Sequence, residues 1–318
     1  MKNIFLILAL ISSIYASNMK KPILSITASG SVVDLVYKNN KLYTATDAGV
    51  VDIFDYKTKK IIKQITVPKI KDFMGDDVDS TIFSVDEFDD NIMILSKSKN
   101  GYNRIHIQKN DKKTLIIDYK KSLAIIKAKY LNKNTLILAL LSNEIISYDI
   151  KKEKENYRVQ VSGAKFSDFD LSEDKKTLVV TDESGDVNIF DTKNGKSIKV
   201  LSGENLDNVF EIDYKNGVIA TAGQDRRVAV YVPKFNSAYH IQAKFIVYSV
   251  GLSPSGKIVA YSSDENNNVT LQSTITKSTI GHFTGNDITL SNIVFINENE
   301  FLVASNSPTI NLYKIRNK

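Results

Sequence analysis

A stretch of about fifteen residues recurs seven times along this chain, and it constrains the fold more than any other feature. In residues 41–55, KLYTATDAGVVDIFD, a β-prone run ending at Thr46 meets the turn residues Asp47, Ala48 and Gly49. A second β-prone run follows from Val50 to Phe54, so the segment reads as two strands and a turn. Residues 177–191, TLVVTDESGDVNIFD, are the closest copy, and residues 217–231 are another. Residues 134–149 and 257–272 repeat it without glycine in the turn, residues 91–108 stretch the turn, and residues 300–314 close the series. The second strands close at Phe54, Ile107, Tyr148, Phe190, Tyr231, Leu271 and Tyr313, with gaps of 53, 41, 42, 41, 40 and 42 residues. A four-stranded propeller blade needs roughly 40–45 residues. Five gaps match, and the first carries an insertion.

Each unit is flanked by further β-prone runs. Upstream lie residues 32–36, 124–126, 166–169, 209–212, 246–250 and 292–295. Downstream, polar turns such as 56–59 and 192–195 lead into 61–62 and 198–200. No segment keeps the 3.6-residue apolar period that crossover helices need. One small sheet cannot hide both of its apolar faces, whereas neighbours stacked radially cover them. The seventh unit ends without sequence for a fourth strand, and residues 22–27 precede the first unit with no unit of their own. Pairing the two removes two exposed sheet edges. The expected fold is all-β, a seven-bladed β-propeller closed by the N-terminal strand in the last blade.

The start of the chain reads as a targeting device. Met1 and Lys2 precede an apolar run from Ile4 to Ile14 that is shorter than the ~20 apolar residues a bilayer-spanning helix needs. A secretory signal cut after Ala16 fits this pattern. The expected organisation is a signal peptide over residues 1–16 and the propeller over residues 17–318, in the periplasm, with no membrane span after cleavage and a monomeric state. The chain has no Cys, no Trp and only three His. Disulfides, zinc–thiolate sites, Fe–S ligation, covalent haem attachment and cysteine nucleophiles are thereby excluded. The net charge of +6 is spread along the chain, without the interleaved aromatic platform that nucleic acid requires.

Residues 181–191 place a turn before a β-run that ends in an aromatic-Asp pair, which resembles the WD40 repeat. Phe190-Asp191 and Phe54-Asp55 stand where that family has Trp-Asp, and Gly281-His282 where it has Gly-His. The resemblance covers about the whole of residues 17–318 and implies a WD40-like platform for protein–protein interaction. Without Trp, the family's buried tetrad of His, Ser/Thr, Asp and Trp is complete in no blade, so apolar stacking must carry more of the load. The leader, the seven degenerate cysteine-free units and runs such as residues 220–228 are together similar to a group of WD40-like accessory proteins. These are encoded beside periplasmic nitrate reductase in some bacteria. That likeness implies a periplasmic accessory factor whose partners are components of the nitrate reductase system; no residue here encodes nitrate chemistry itself.

Chemistry-bearing patterns are sparse. His106, His240 and His282 fall in the second, fifth and sixth units, His282 in a turn, so a propeller spreads them around its ring. Neither a Gly-x-Ser-x-Gly elbow nor a phosphate-cradling glycine loop occurs. No catalytic residue, cofactor or metal site is expected. The insertion offers a docking element: Asp72, Phe73, Met74, Asp76, Asp77 and Asp79, with Phe73 and Met74 as apolar anchors. Asp86, Glu87, Asp89 and Asp90 extend it into a run of eight carboxylates whose spacing does not fit a Ca²⁺ loop. Arg226 and Arg227, in the turn of the fifth unit on the same face, are candidate partner contacts. Two alternatives remain. One is a propeller enzyme of lactonase or quinoprotein type, with a channel site built from Asp34, Asp168 and Glu211. The other is a scaffold for outer-envelope assembly.

Overall fold

Seven four-stranded antiparallel sheets follow one another along the chain in a computed structural model that describes residues 19–316. The expected signal peptide and its cut site lie outside the described residues. Blade 1 comprises Val32–Lys38, Lys41–Thr46, Val50–Asp55 and Lys60–Thr66, from the innermost strand outward. The innermost strands of blades 2 to 7 are Ile82–Phe88, Ile125–Asn132, Phe166–Leu171, Val209–Lys215, Val250–Leu252 and Leu290–Asn297. Short turns join the strands. At Asn39-Asn40, Asp89-Asp90 and Asn216-Gly217 both central residues have positive φ, the geometry that matches strand twist in two-residue hairpins.

Burial follows position within the blade. The second and third strands are apolar and buried on both faces, as Leu136, Ile137, Leu138 and Ala139 illustrate, because each sheet is covered by a neighbour on either side. The outermost strands alternate, as in Lys154–Gln160, where Tyr157 and Val159 turn inward between exposed residues. Seven apolar clusters result, one at each blade interface. The cluster that joins blade 7 to blade 1 sets Leu302, Ala304 and Ile310 against Val32, Leu35 and Phe54. Leu24–Thr27 pairs antiparallel with Thr309–Lys314 as the outer strand of blade 7.

Several local expectations need correction. The innermost strand of blade 6 is not residues 246–250 but the shorter Val250–Leu252. The N–H groups of Tyr248 and Ser249 go to Ser262 Oγ instead of a strand ladder. Blade 2, whose innermost strand the sequence reading did not find, draws Asp86 and Glu87 into Ile82–Phe88, where both are buried. The eight carboxylates are therefore not one patch. The insertion itself folds into a small hairpin, Ile70–Lys71 against Asp77–Val78. His282 lies in the outer strand Thr279–Phe283 of blade 6, and Met19–Lys20 adds a fifth, parallel strand beside it.

The missing Trp-containing tetrad is replaced by shorter polar links at the outer part of the blades. Asp182 accepts hydrogen bonds from Asn143 Nδ2 (2.9 Å) and Ser162 Oγ (2.7 Å), tying blade 3 to blade 4. In blade 1, Asp52 takes the Ser29 N–H and hydroxyl (2.7 Å each) and Gln64 Nε2 (2.8 Å). Among the glycines of the described residues, Gly251 makes the tightest approach to backbone: a Cβ there would lie 2.3 Å from the Ile293 carbonyl oxygen. Gly251→Ala should push the innermost strands of blades 6 and 7 apart and cost roughly 1–3 kcal/mol. Denaturant unfolding checks this, and an unchanged midpoint would contradict the close contact.

Candidate functional site

The innermost strands begin at the face that also carries the second-to-third strand turns and the links between blades. Two rows of polar side chains from these strands line the central channel. The row nearer that face holds Asp34, Lys127, Asp168, Glu211 and Asn292; two residues further along come Asp86, Lys129, Asp170 and Asp213. Each innermost strand is paired on one side only, which leaves N–H groups open toward the axis, and a buried unpaired N–H is costly.

In blades 2, 3, 5 and 6, carboxylates of the preceding blade satisfy them. Asp34 Oδ2 accepts Val85 N–H (2.9 Å) and Asp86 Oδ2 accepts Tyr130 N–H (2.8 Å). Asp168 Oδ2 accepts Ile212 N–H (3.0 Å) and Asp170 Oδ2 accepts Tyr214 N–H (3.2 Å). Glu211 Oε2 accepts Val250 N–H (2.9 Å) and Asp213 Oδ2 accepts Leu252 N–H (2.7 Å). Blade 3 carries lysines in these rows and pairs forward with blade 4, Lys127 with Asp168 and Lys129 with Asp170 (2.6 Å). Lys38 pairs with Asp86, and Lys215 bridges Asp213 (2.7 Å) and Asp170 (3.4 Å).

Charge is unevenly divided along the channel. In the row of Asp86, Lys129, Asp170 and Asp213, the lysines at 38, 129 and 215 match three carboxylates. Burial pushes Asp170 up, but Lys129 and Lys215 overcome it and hold the carboxyl well below its usual range. Beside them, burial lowers the Lys175 ammonium to about 8. In the other row, Lys127 is the one cation among three carboxylates. Burial raises Asp34 despite the pull of Lys127, and it raises Glu211 to about 8, with the Asp168 charge adding to the rise.

The residues expected to dock a partner lie apart from this channel. Phe73 is 96% exposed and Met74 73%, at the tip of the small hairpin. Asp72 Oδ1 accepts the Met74 and Asp76 N–H groups (2.9 Å each), which holds the tip in shape together with Gly75 at φ +92°. Asp77 and Asp79 pair with Lys71 and Lys69 at 3.0 Å. Arg227 is turned into its own blade, its Nη1 donating to the Glu204 carbonyl (3.1 Å); Arg226 is exposed at φ +66°. Asp34, Asp168 and Glu211 do line one channel, but all three spend an oxygen on a backbone N–H. Asp86, Asp170, Asp213, Lys129 and Lys215 were missed as channel residues. The signal for four of these positions was their spacing, 43 residues from Asp86 to Lys129, 41 from Lys129 to Asp170 and 43 from Asp170 to Asp213, close to the blade repeat.

The three histidines are far apart in role. Burial lowers His106 to about 4. His240 Nδ1 meets Glu204 at 2.7 Å and His282 Nδ1 meets Thr270 at 3.0 Å. Among the described residues, no three His, Asp or Glu side chains are grouped to hold a metal ion. No helix among them is long and apolar enough to cross a membrane.

No family model and no curated protein matches the sequence. Among solved structures, the fold is similar to the β-propeller domain of Cps50 (Swd1) from Myceliophteria thermophila, with a TM-score of 0.74 at 13% identity. The match covers 93% of this chain and 99% of that domain. At that identity the likeness establishes the seven-bladed WD40-like propeller and nothing about activity.

The raised Glu211 carboxyl has a signed consequence for stability. Between its ordinary value of 4.5 and about 8 the folded protein holds a proton that the unfolded chain has released, so stability falls as pH rises through that window. Glu211→Gln keeps an acceptor for Val250 N–H and removes the charge. The variant should lose less stability than the parent between pH 6 and 8.5, by roughly a few kcal/mol at most. Urea midpoints at the two pH values measure this, and parallel losses would refute a buried, raised Glu211.

Proposed function

We propose that this protein is an exported, non-catalytic platform that grips another protein through the face bearing the Phe73–Met74 hairpin. One observation carries the reading. The channel carboxylates are engaged in holding blades together, whereas Phe73, the apolar side chain most open to solvent among the described residues, sits beside the exposed Met74 on a preformed tip. A tip already ordered by Asp72 and Gly75 loses little freedom on binding, which favours affinity from a small contact. We further propose that the partner belongs to a periplasmic nitrate reductase system, in the manner of NapL. The leader-like first 16 residues, the cysteine-free composition and the degenerate WD40-like units support that choice. The role is accessory, with no cofactor of its own.

A second reading, a channel-site enzyme, is favoured by Glu211, which burial keeps largely protonated near neutral pH beside Asp168. Lactone hydrolysis by the purified protein, abolished by Glu211→Gln, would select it.

The platform reading is tested by capturing tagged full-length chain from the periplasmic fraction of its host. The expected result is recovery of the nitrate reductase catalytic subunit, lost when Phe73→Ser and Met74→Ser are combined. Recovery of barrel-assembly proteins instead would favour an envelope scaffold. Recovery that the double substitution leaves unchanged would remove the hairpin from the interface, and a chain retained in the cytoplasm would end the exported role.

A further inference from the structure

The channel mouth at which the innermost strands begin is a cavity of about 250 Å³. Its wall includes Phe83, Ile126, Phe210 and Tyr248, all half-buried, with the Phe210 and Tyr248 rings stacked at 5.5 Å between centroids. Asp34, Asp168 and Glu211 line the same cavity, and their one cation, Lys127, is committed to Asp168. One acceptor oxygen close by has no donor. Asn292 Oδ1, on the cavity wall, is buried without a hydrogen-bond partner.

Each of these features asks for the same visitor. Unmatched half-buried carboxylates are stabilised by a positive charge. Orphaned acceptors are satisfied by N–H donors, and aromatic walls attract cations by their π faces. The residues are not spaced to hold a metal ion, so the charge must come on an organic group that fills the space. We infer that this mouth is a binding site for an organic cation, a guanidinium or alkylammonium group. Asp34 and Glu211 supply the charge, Asn292 an acceptor, and Phe210 and Tyr248 the walls. The inference goes beyond the platform reading and stands without it. The group arrives either on a free amine or on an Arg or Lys side chain of a docked protein. The mouth opens on the face that carries the 70–79 hairpin, because links between blades and the starts of innermost strands share that face.

Calorimetry of the full chain at low salt tests the site with three probes: agmatine, acetyl-Gly-Arg-Gly-amide, and the same peptide with norleucine for Arg. The expected result is saturable one-to-one binding of at least one cation and none of the norleucine peptide. Binding of agmatine alone assigns a free amine as the source, and binding of the Arg peptide assigns a protein side chain. Combined Asp34→Asn and Glu211→Gln should weaken binding by about ten-fold or more, whereas Asp111→Asn, at an exposed turn on the opposite face, should leave it unchanged. Near pH 7 the bound cation should also drive a proton from Glu211, so the heat should vary with the buffer's ionisation enthalpy. If the double variant fails to unfold cooperatively, Glu211→Gln alone carries the comparison. Absence of saturable heat with either cation up to about 10 mM, or equal binding by the charge-neutralised variant, overturns the site. Neither outcome touches the periplasmic capture, which reads the hairpin.

Discussion

Seven strands each present an open edge to the axis of the ring, and no further strand is there to pair with them. The hydrogen bonds from those edges to carboxylates of the preceding blade are the interaction on which the arrangement depends. Apolar clusters between blades are non-directional and would tolerate small rotations. The links from Asp34 to Val85, Asp86 to Tyr130, Asp168 to Ile212 and Glu211 to Val250 set the phase of the blades they join. Capping backbone this way buries charge, and the lysines of blade 3 exist in the same rows to answer it.

That solution leaves a residue of unbalanced charge. One row matches lysines to carboxylates almost one for one, while the row of Asp34, Asp168 and Glu211 has a single cation. The excess is eased by protonation of Glu211, pushed up to about 8, and the Asp34 carboxyl is raised as well. It also gives the channel a direction. The acidic mouth, the projecting hairpin and the exposed Arg226 share one face, so a single docked partner could meet all three.

Much of this was legible along the chain. The repeat of 40 to 42 residues between Ile107 and Tyr313 depends on strand count per blade, which local β-propensity and turn chemistry report directly. The short innermost strand of blade 6 was not legible, because residues 246–250 are as β-prone as any neighbour. Their N–H groups at Tyr248 and Ser249 go instead to the Ser262 hydroxyl, a contact from elsewhere in the blade. The acidic run from Asp72 to Asp90 misled for a related reason. Adjacency in sequence placed Asp76 beside Asp86, while the fold sends one to a hairpin tip and the other into the channel.

By itself, the order of residues determined the all-β class, seven units, the closing role of the segment before the first unit, and the lack of thiol chemistry. Those are properties of period and composition, and no long-range contact is needed to read them. Tertiary structure alone decided which charged side chains meet. Asp168 and Lys127 are 41 residues apart and Glu211 and Val250 are 39, and each pair faces because neighbouring blades stack in register. A carboxylate in a strand looks the same in sequence whether it faces water or caps a backbone N–H, and only the blade packed beside it makes the difference.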